Sequence, residues 1–344
     1  MTKGNSSILP LDAMLEEVAE ANGSDLHLAT GILPVMRVNG ELTTLQDTKH
    51  ILTEDKLMEL CSALLGRTPE LTEHFQKEGS ADTSYSFRTA KGHAIHSRVN
   101  IFRDTNGLSF AFRLINDYVP SMEELRLPQS LRLLRQEPYG LIILTGATGS
   151  GKSTTIASLL DAINAERAAH IITIENPVEY HFTMKKSIIS QREVGRDCTS
   201  FLSGLRDALR QDPDVILIGE MRDAETISTA LAAAETGHLV FSTLHAGNVV
   251  EALDRLVQYF PAEQHREIRS EIANSLCGLI AQKLLKSSRG GRIAAFEILL
   301  ATDATKNIIR TGQGFRIRDY MNPADGMQTM EEALRGLRNK KLIA

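Results

Sequence analysis

The chain has 344 residues, of which 42% are hydrophobic and 24% charged, and its formal charge is −5. That length exceeds what one hydrophobic core usually sustains, so two domains are expected, and the composition excludes a wholly disordered chain. The mild acidity gives no pull towards nucleic acid or anionic lipid, and no apolar run reaches the roughly 18–20 residues of a membrane span.

In chain order, Leu11, Met14, Leu15, Val18 and Ala19 share one helical face, with Gly23 placed to end that helix. Two extended runs, LPVMRV and ELTTL, follow around Asn39-Gly40, a pair suited to a tight hairpin turn. TEDKLMELCSALLG predicts a second helix with Thr53 as cap and Gly66 past its end, and TPELTEHF a short third with Pro69 in its first turn. Three strand-like runs come next, YSFRT, HAIHSRVNIF and LSFAFRLI, the last two joined by Asp104-Thr105-Asn106-Gly107. Residues 1–115 are therefore expected to form a small α+β domain and 116–122 a linker, with Ser121 and Glu124 at capping-box spacing for the helix that opens residues 123–344. Beyond Gly140 the continuous apolar runs LIILT, HIITI, VILIG and LVFST alternate with helical stretches, which predicts a doubly wound α/β core around a mostly parallel sheet.

The polar start MTKGNSSILP lacks the apolar block of a secretion signal, and Cys61, Cys198 and Cys277 show no CxxC spacing. These features predict a cytoplasmic protein in a reduced compartment, without direct membrane insertion and without a four-cysteine zinc knuckle.

The chemistry concentrates in the second domain. Gly146, Ala147, Thr148, Gly149, Ser150, Gly151, Lys152, Ser153 and Thr154 fit G-x-x-x-x-G-K-[ST] between a strand and a helix, the pattern of an ATP-binding phosphate loop. Its glycines turn backbone amides towards phosphate oxygens, Lys152 reaches the β and γ phosphates, and Ser153 offers a hydroxyl to Mg²⁺. TIENPVEY brings Glu175 and Glu179 to the exit of the second strand; Glu179 is expected to polarise the attacking water and Glu175 to assist through metal-bound water. VILIGEMRD ends in Gly219-Glu220, where a glutamate reaching magnesium through water replaces the usual aspartate, and Gly219 is expected to let the backbone pass close to the nucleotide. That strand is expected to lie beside the phosphate loop. In GHLVFSTLH, His238 and His245 bracket a strand as candidate sensors of the γ-phosphate. Arg192, Arg196, Arg206, Arg210 and Arg222 lie between these strands, and Arg98 and Arg113 on strands of the first domain; spacing does not select which of them acts on a neighbour's nucleotide.

With these motifs in view, the chain resembles the secretion-ATPase superfamily of type II secretion and type IV pili. Within it, the chain is most similar to the PilT-type pilus retraction (twitching motility) ATPases. The likeness runs nearly end to end, through SDLHLATGILPVMRVNGEL, GATGSGKSTT, TIENPVEY, DPDVILIGEMRD, AAAETGHLVFSTLH and GMQTMEEAL. It implies a PAS-like first domain, a RecA-like core, catalytic roles for Glu179 and Glu220, and functional roles for His238 and His245. It also implies a homo-oligomer, a hexameric ring in which Arg98 and Arg113 reach a neighbour's ATP, working on a platform protein at the inner face of the inner membrane. Two departures stand out: Asn176 where the family has Asp, and ATKNIIR (Ala304 to Arg310) where it has Ala-Ile-Arg-Asn-Leu-Ile-Arg. Lys306 there lacks the planar fork of arginine. The expected function is ATP-driven pilus retraction, with a PilT-like motor of a conjugative or effector-delivery secretion system as the alternative. An assembly-type ATPase fits less well without its zinc subdomain, a nucleotide-switched binding protein needs no second carboxylate, and a helicase lacks its aromatic, basic groove.

Overall fold

The fold is a computed structural model that describes residues 10–21, 23–38, 40–46, 50–66, 69–89, 94–115 and 118–343. The chain divides into two compact units, Met1–Asp117 and Tyr118–Ala344.

In the first unit, α1 (Leu11–Glu20) buries Leu11, Met14, Leu15 and Val18, and the Gly23 amide closes it by donating to the Val18 carbonyl at 2.8 Å. Then come β1 (Asp25–Ala29), β2 (Val35–Val38), β3 (Glu41–Thr44), α2 (Glu54–Leu65), α3 (Pro69–Glu78), β4 (Ser80–Arg88), β5 (Ala94–Asp104) and β6 (Gly107–Ile115). The strands form one antiparallel sheet in the order β3-β2-β1-β6-β5-β4. Periodicity did not announce β1, yet its Leu26 and Leu28 are fully buried at the sheet's centre. In the β2–β3 hairpin Val38 faces Glu41 and Gly40 has φ +90; Asn39 lies outside the described residues. At α2, Thr53 occupies the cap position without a side-chain hydrogen bond, and Gly66 keeps a right-handed φ of −62 instead of a left-handed stop.

The second unit opens differently from expectation. The Ser121 amide donates to Glu124 Oε2 at 2.7 Å and Ser121 Oγ accepts from the Glu124 amide at 3.2 Å, but this reciprocal box closes a turn and no helix. The turn residues are followed by Pro128, whose ring disfavours helix at the residue before it, and the short α4 (Gln129–Leu133) begins only after it. Next come β7 (Gly140–Thr145), α5 (Lys152–Glu166), β8 (His170–Glu175), β9 (Ile188–Glu193), α6 (Phe201–Ala208), β10 (Val215–Ile218), α7 (Ala224–Glu235), β11 (Leu239–Leu244), α8 (Val249–Gln258), α9 (His265–Ser275), β12 (Leu276–Lys286), β13 (Arg292–Leu300), α10 (Asp303–Arg310) and α11 (Met330–Asn339). The sheet order is β13-β12-β7-β11-β10-β8-β9, parallel throughout except for the β12–β13 pair.

Successive residues of a strand point to opposite faces, and the apolar runs use both. In β7, Leu141 and Ile143 join the core built with α6, α7, α8 and α9, while Ile142 and Leu144 join the one built with α4 and α5. β10 divides alike, Ile216 and Ile218 against Val215 and Leu217. Two-sided burial is why β7 and β10 read as unbroken apolar stretches. Parallel pairing then gathers the ends that follow β7, β8, β10 and β11 along one edge.

Candidate nucleotide site

The loop between β7 and α5 owes its shape to glycine. Gly146, Gly149 and Gly151 have φ of +149, +77 and +87, and Gly151 is the residue from which α5 starts. A Cβ on Gly146 would lie 2.4 Å from the Gln282 carbonyl oxygen, so the loop also needs glycine for its close approach to β12. Ala147, Thr148 and Gly149 are exposed at the crest, whereas Lys152 is buried, its Nζ donating to the carbonyls of Gly146 at 2.8 Å and Ala147 at 3.1 Å. Burial holds the ammonium below the ordinary lysine range, opposed by the Glu179 and Glu220 carboxylates nearby. Ser153 and Thr154 are half-buried in the first turn, and Thr154 Oγ1 lies 2.8 Å from the Tyr180 hydroxyl, tying the loop to the segment that carries Glu179.

Glu175 is the last residue of β8 and is buried, with Oε1 lacking a hydrogen-bond partner among the described residues. Burial pushes its carboxyl up to about 7; the nearby Thr173 hydroxyl and Glu179 amide oppose that, and the Glu179 carboxylate reinforces it. Asn176 and Glu179 beyond it are exposed.

Glu220 follows β10, and here one expectation is corrected. The strand is not beside β7: β11 lies between them, and the carboxylate meets the phosphate loop from one strand further out. Gly219 serves the packing of two strand ends. Its amide donates to the Ile174 carbonyl at 2.8 Å, and an added Cβ would lie 3.2 Å from the Phe201 ring and 3.4 Å from Glu175 Cα. The glycine lets the end of β10 press against the end of β8. Thr243 Oγ1 donates to the Gly219 carbonyl at 2.5 Å, buried Met221 anchors the following residue, and Asp223 caps α7 by accepting from the Thr226 amide at 2.7 Å. Glu220 is thus fixed on both sides.

The histidines part company. His245 Nε2 is 3.8 Å from Glu220 Oε2; burial and the Lys152 ammonium lower its basicity while Glu220 raises it. His238 precedes β11 at the opposite, amino edge of the sheet, where its carbonyl accepts from the Gly140 amide at 3.0 Å. Its Nδ1 lies 2.9 Å from the Ala233 carbonyl, so within one chain it closes the end of α7 and does not face Lys152. The reason is topological: a six-residue strand separates the two rings, and only its carboxyl end reaches the phosphate loop.

Arg222 Nη2 lies 2.5 Å from Glu220 Oε1. Arg192 donates to the carbonyls of Gly204 and Asp197 and to Asp207 Oδ2, Arg196 pairs with Asp197, Arg206 with Glu225 and Arg210 with Asp207. In the first unit, Arg113 Nε donates to Asp25 Oδ1 at 3.0 Å, and Arg98 lies 4.0 Å from Asp82.

Sequence reasoning missed Gln282. It lies in mid-β12, 2% exposed, accepting from Thr155 Oγ1 at 3.0 Å and donating from Nε2 to the Ser150 carbonyl at 2.8 Å. One amide therefore clamps the phosphate loop to its own helix. The available signal was a lone amide in the apolar run LCGLIAQKLL. Beyond Gly151, Thr154 and Thr155 opens a cleft of about 590 Å³, also lined by Leu127, Leu284 and Phe296.

The type II/IV secretion system protein family matches residues 3–338. The chain belongs to that family. Among secretion system proteins of this kind it is 40% identical over 338 residues to the type IV pilus retraction ATPase PilT of Pseudomonas aeruginosa, covering 98% of this chain and 96% of that protein. The crystal structure of the pilus retraction motor PilT with bound ADP matches with a TM-score of 0.88 at 40% identity, over 98% of this chain and 95% of that one. The ATPase DotB of Legionella pneumophila matches with a TM-score of 0.86 at 29% identity, over 100% of this chain and 96% of that one. The α/β fold with its mostly parallel second sheet is that of these secretion ATPases.

Proposed function

We propose that this chain is an ATP-hydrolysing motor subunit that drives type IV pilus retraction. The observation that carries the proposal is the meeting of Lys152, Glu220 and His245 at one sheet edge with Glu179 beside them, in a chain 40% identical to a pilus retraction ATPase. The amides and glycines of the loop cradle the phosphates. Lys152 exchanges the Gly146 and Ala147 carbonyls for phosphate oxygens, and the nucleoside extends towards the cleft beyond Thr154. Glu179, exposed beside Lys152, takes up the attacking water, and Glu220 supplies the second negative charge that orients it.

The hydroxyl and carboxylate oxygens present suit Mg²⁺: Ser153 would hold it directly and Glu220 through water. Such an ion neutralises charge developing on the β and γ phosphates. His245, its basicity lowered by burial and Lys152, reads the occupancy of that end through its ring nitrogens. The PAS-like first domain (residues 1–115, then a linker to 122) belongs in this reading to a homo-oligomeric, hexameric ring in which Arg98 and Arg113 complete a neighbour's site. The ring acts on a membrane platform protein at the inner face of the inner membrane.

Two measurements test this. Purified chain releases phosphate from ATP with a specific activity that rises through the concentration range of oligomer formation; turnover at background at all concentrations rejects the motor. Cells lacking the chain accumulate surface filaments; bald cells point to assembly instead. The changed α10 segment, ATKNIIR, keeps a second reading in place, a motor of a conjugative or effector-delivery secretion system. Unchanged filaments with lost transfer would select it.

A further inference from the structure

Outside the groups gathered around Lys152, one carboxylate is fully buried and tied to two separate parts of the second unit. Glu297, in mid-β13, has no solvent exposure. Its Oε1 accepts from Arg318 Nε at 2.9 Å and its Oε2 from the Val249 amide at 3.1 Å. Val249 is the first residue of α8, and residues 245–248 join that helix to β11. This joint is held residue by residue. The His245 carbonyl accepts from Arg255 Nη1 at 2.6 Å, Ala246 exchanges hydrogen bonds of 2.9 and 2.8 Å with Thr145 Oγ1, and the Gly247 amide donates to Glu251 at 2.8 Å.

Glu297 supplies the next tie, at a helix start whose unpaired amides and dipole favour a carboxylate. Arg318 belongs to the 3-10 segment Gly314–Tyr320 that follows α10, so the carboxylate that fixes the start of α8 is itself fixed from the chain's last third. A buried acid stripped of its cation is an uncompensated charge, and it shifts or takes up a proton sooner than stay in place.

We infer that Glu297 and Arg318 are positioning residues for hydrolysis: the pair sets the start of α8, and through it the His245 joint that faces Glu220. Movement of the segment behind α10 is thereby felt at the phosphate end. The inference rests on the ATPase reading, and the side-chain hydrogen bonds of the pair go to each other and to the Val249 amide.

The test compares full-length wild type, Arg318→Gln, Arg318→Lys, Glu297→Gln and the Arg318→Gln/Glu297→Gln double variant in steady-state phosphate release and hydrogen–deuterium exchange. Arg318→Gln is expected to lower kcat by roughly ten- to a hundredfold while KM stays within about threefold, because alignment is lost and binding is kept. Arg318→Lys recovers part of the rate. Exchange quickens at residues 245–250 and stays as in wild type in β7 and β10. Added to Glu297→Gln, the Arg318 substitution costs less than about twofold more, since both act through one carboxylate. The inference falls if Arg318→Gln lowers only the melting temperature, with kcat, KM and exchange at 245–250 unchanged, or if the two substitutions multiply. Should Glu297→Gln fail to fold, the two Arg318 variants decide. Wild type without turnover overturns the proposed activity instead, and exchange at 245–250 still decides the positioning claim.

Discussion

Gln282→Leu removes a side chain to which the proposed mechanism gives no chemical step, yet it should cripple the phosphate loop. The swap keeps the volume roughly constant, so no large cavity forms. It deprives two polar groups of their partner, the Ser150 carbonyl and the buried Thr155 hydroxyl, which Gln282 meets at 2.8 and 3.0 Å. A buried polar group left unpaired costs about 1–3 kcal/mol, and leucine's added apolar burial offsets part of the sum, leaving a net loss of about 3 kcal/mol. In a unit of this size that lowers the calorimetric midpoint by roughly 6–12 °C and weakens ATP binding, because the loop no longer rests on α5. Thr155→Val in the leucine background is the decisive control. With both partners of the 3.0 Å bond made apolar, about 1 kcal/mol should return. A leucine variant within 0–2 °C of wild type with unchanged ATP affinity, or a double variant that loses the plain sum, would refute the clamp.

Lys152→Ala should abolish ATP binding or turnover, measured by titration and phosphate release, since among the described residues no other cation is buried against the loop carbonyls; near-normal hydrolysis would remove the phosphate-loop assignment. Glu220→Gln should still bind ATP while kcat falls by about 10²–10³, the usual cost of losing one oriented electrostatic group; an equal loss of binding would mean that the residue shapes the site and does not act in it. Glu175 carries a pH signature. Its folded pKa, about 7, lies above the ordinary glutamate value of 4.5, so the folded state holds the proton more tightly and stability falls as pH rises from roughly 4.5 to 7. Glu175→Gln, neutral throughout, should gain stability over wild type across that window, by at most roughly 3 kcal/mol at the upper end. Urea midpoints of both proteins between pH 5 and 8 check it, and parallel curves would show that burial leaves the carboxyl unperturbed.

What the sequence disclosed follows physical lines. Strands buried on both faces, β7, β8, β10 and β11, announce themselves because most of their residues are apolar, and the phosphate loop because glycine and lysine are needed at fixed offsets. β1 escaped because five residues with a buried Asp25 at one end carry too little pattern. β9 escaped because ISQR is polar within an edge strand, and β13 because its partner β12 is antiparallel, outside the alternation that marks the core. Within the site, the residues read correctly as neighbours, Lys152, Glu220 and His245, all follow the carboxyl ends of strands. His238 was misplaced by treating a strand's two ends as one location. Gln282 and Glu297 stayed hidden because their meaning lies in partners 127 and 48 residues away.

The arginines show where geometry narrows what spacing left open. An exposed ion pair is worth about 0–1 kcal/mol, so an arginine held only by such a pair gives up little on turning to a triphosphate. Arg113 and Arg222 reach Asp25 and Glu220, only 11% and 15% exposed, whereas Arg210 and Arg206 are of this kind, with side chains 79% and 58% exposed opposite carboxylates 50% and 70% exposed. Arg192 is not: 18% exposed, it satisfies two carbonyls and Asp207 at once, and withdrawing it would orphan groups that join β9 to α6. Arg222 has a further distinction, since its present partner is Glu220. A γ-phosphate that drew the guanidinium away would leave that carboxylate free to act on water, so arrival of the nucleotide and exposure of the acid would be one event.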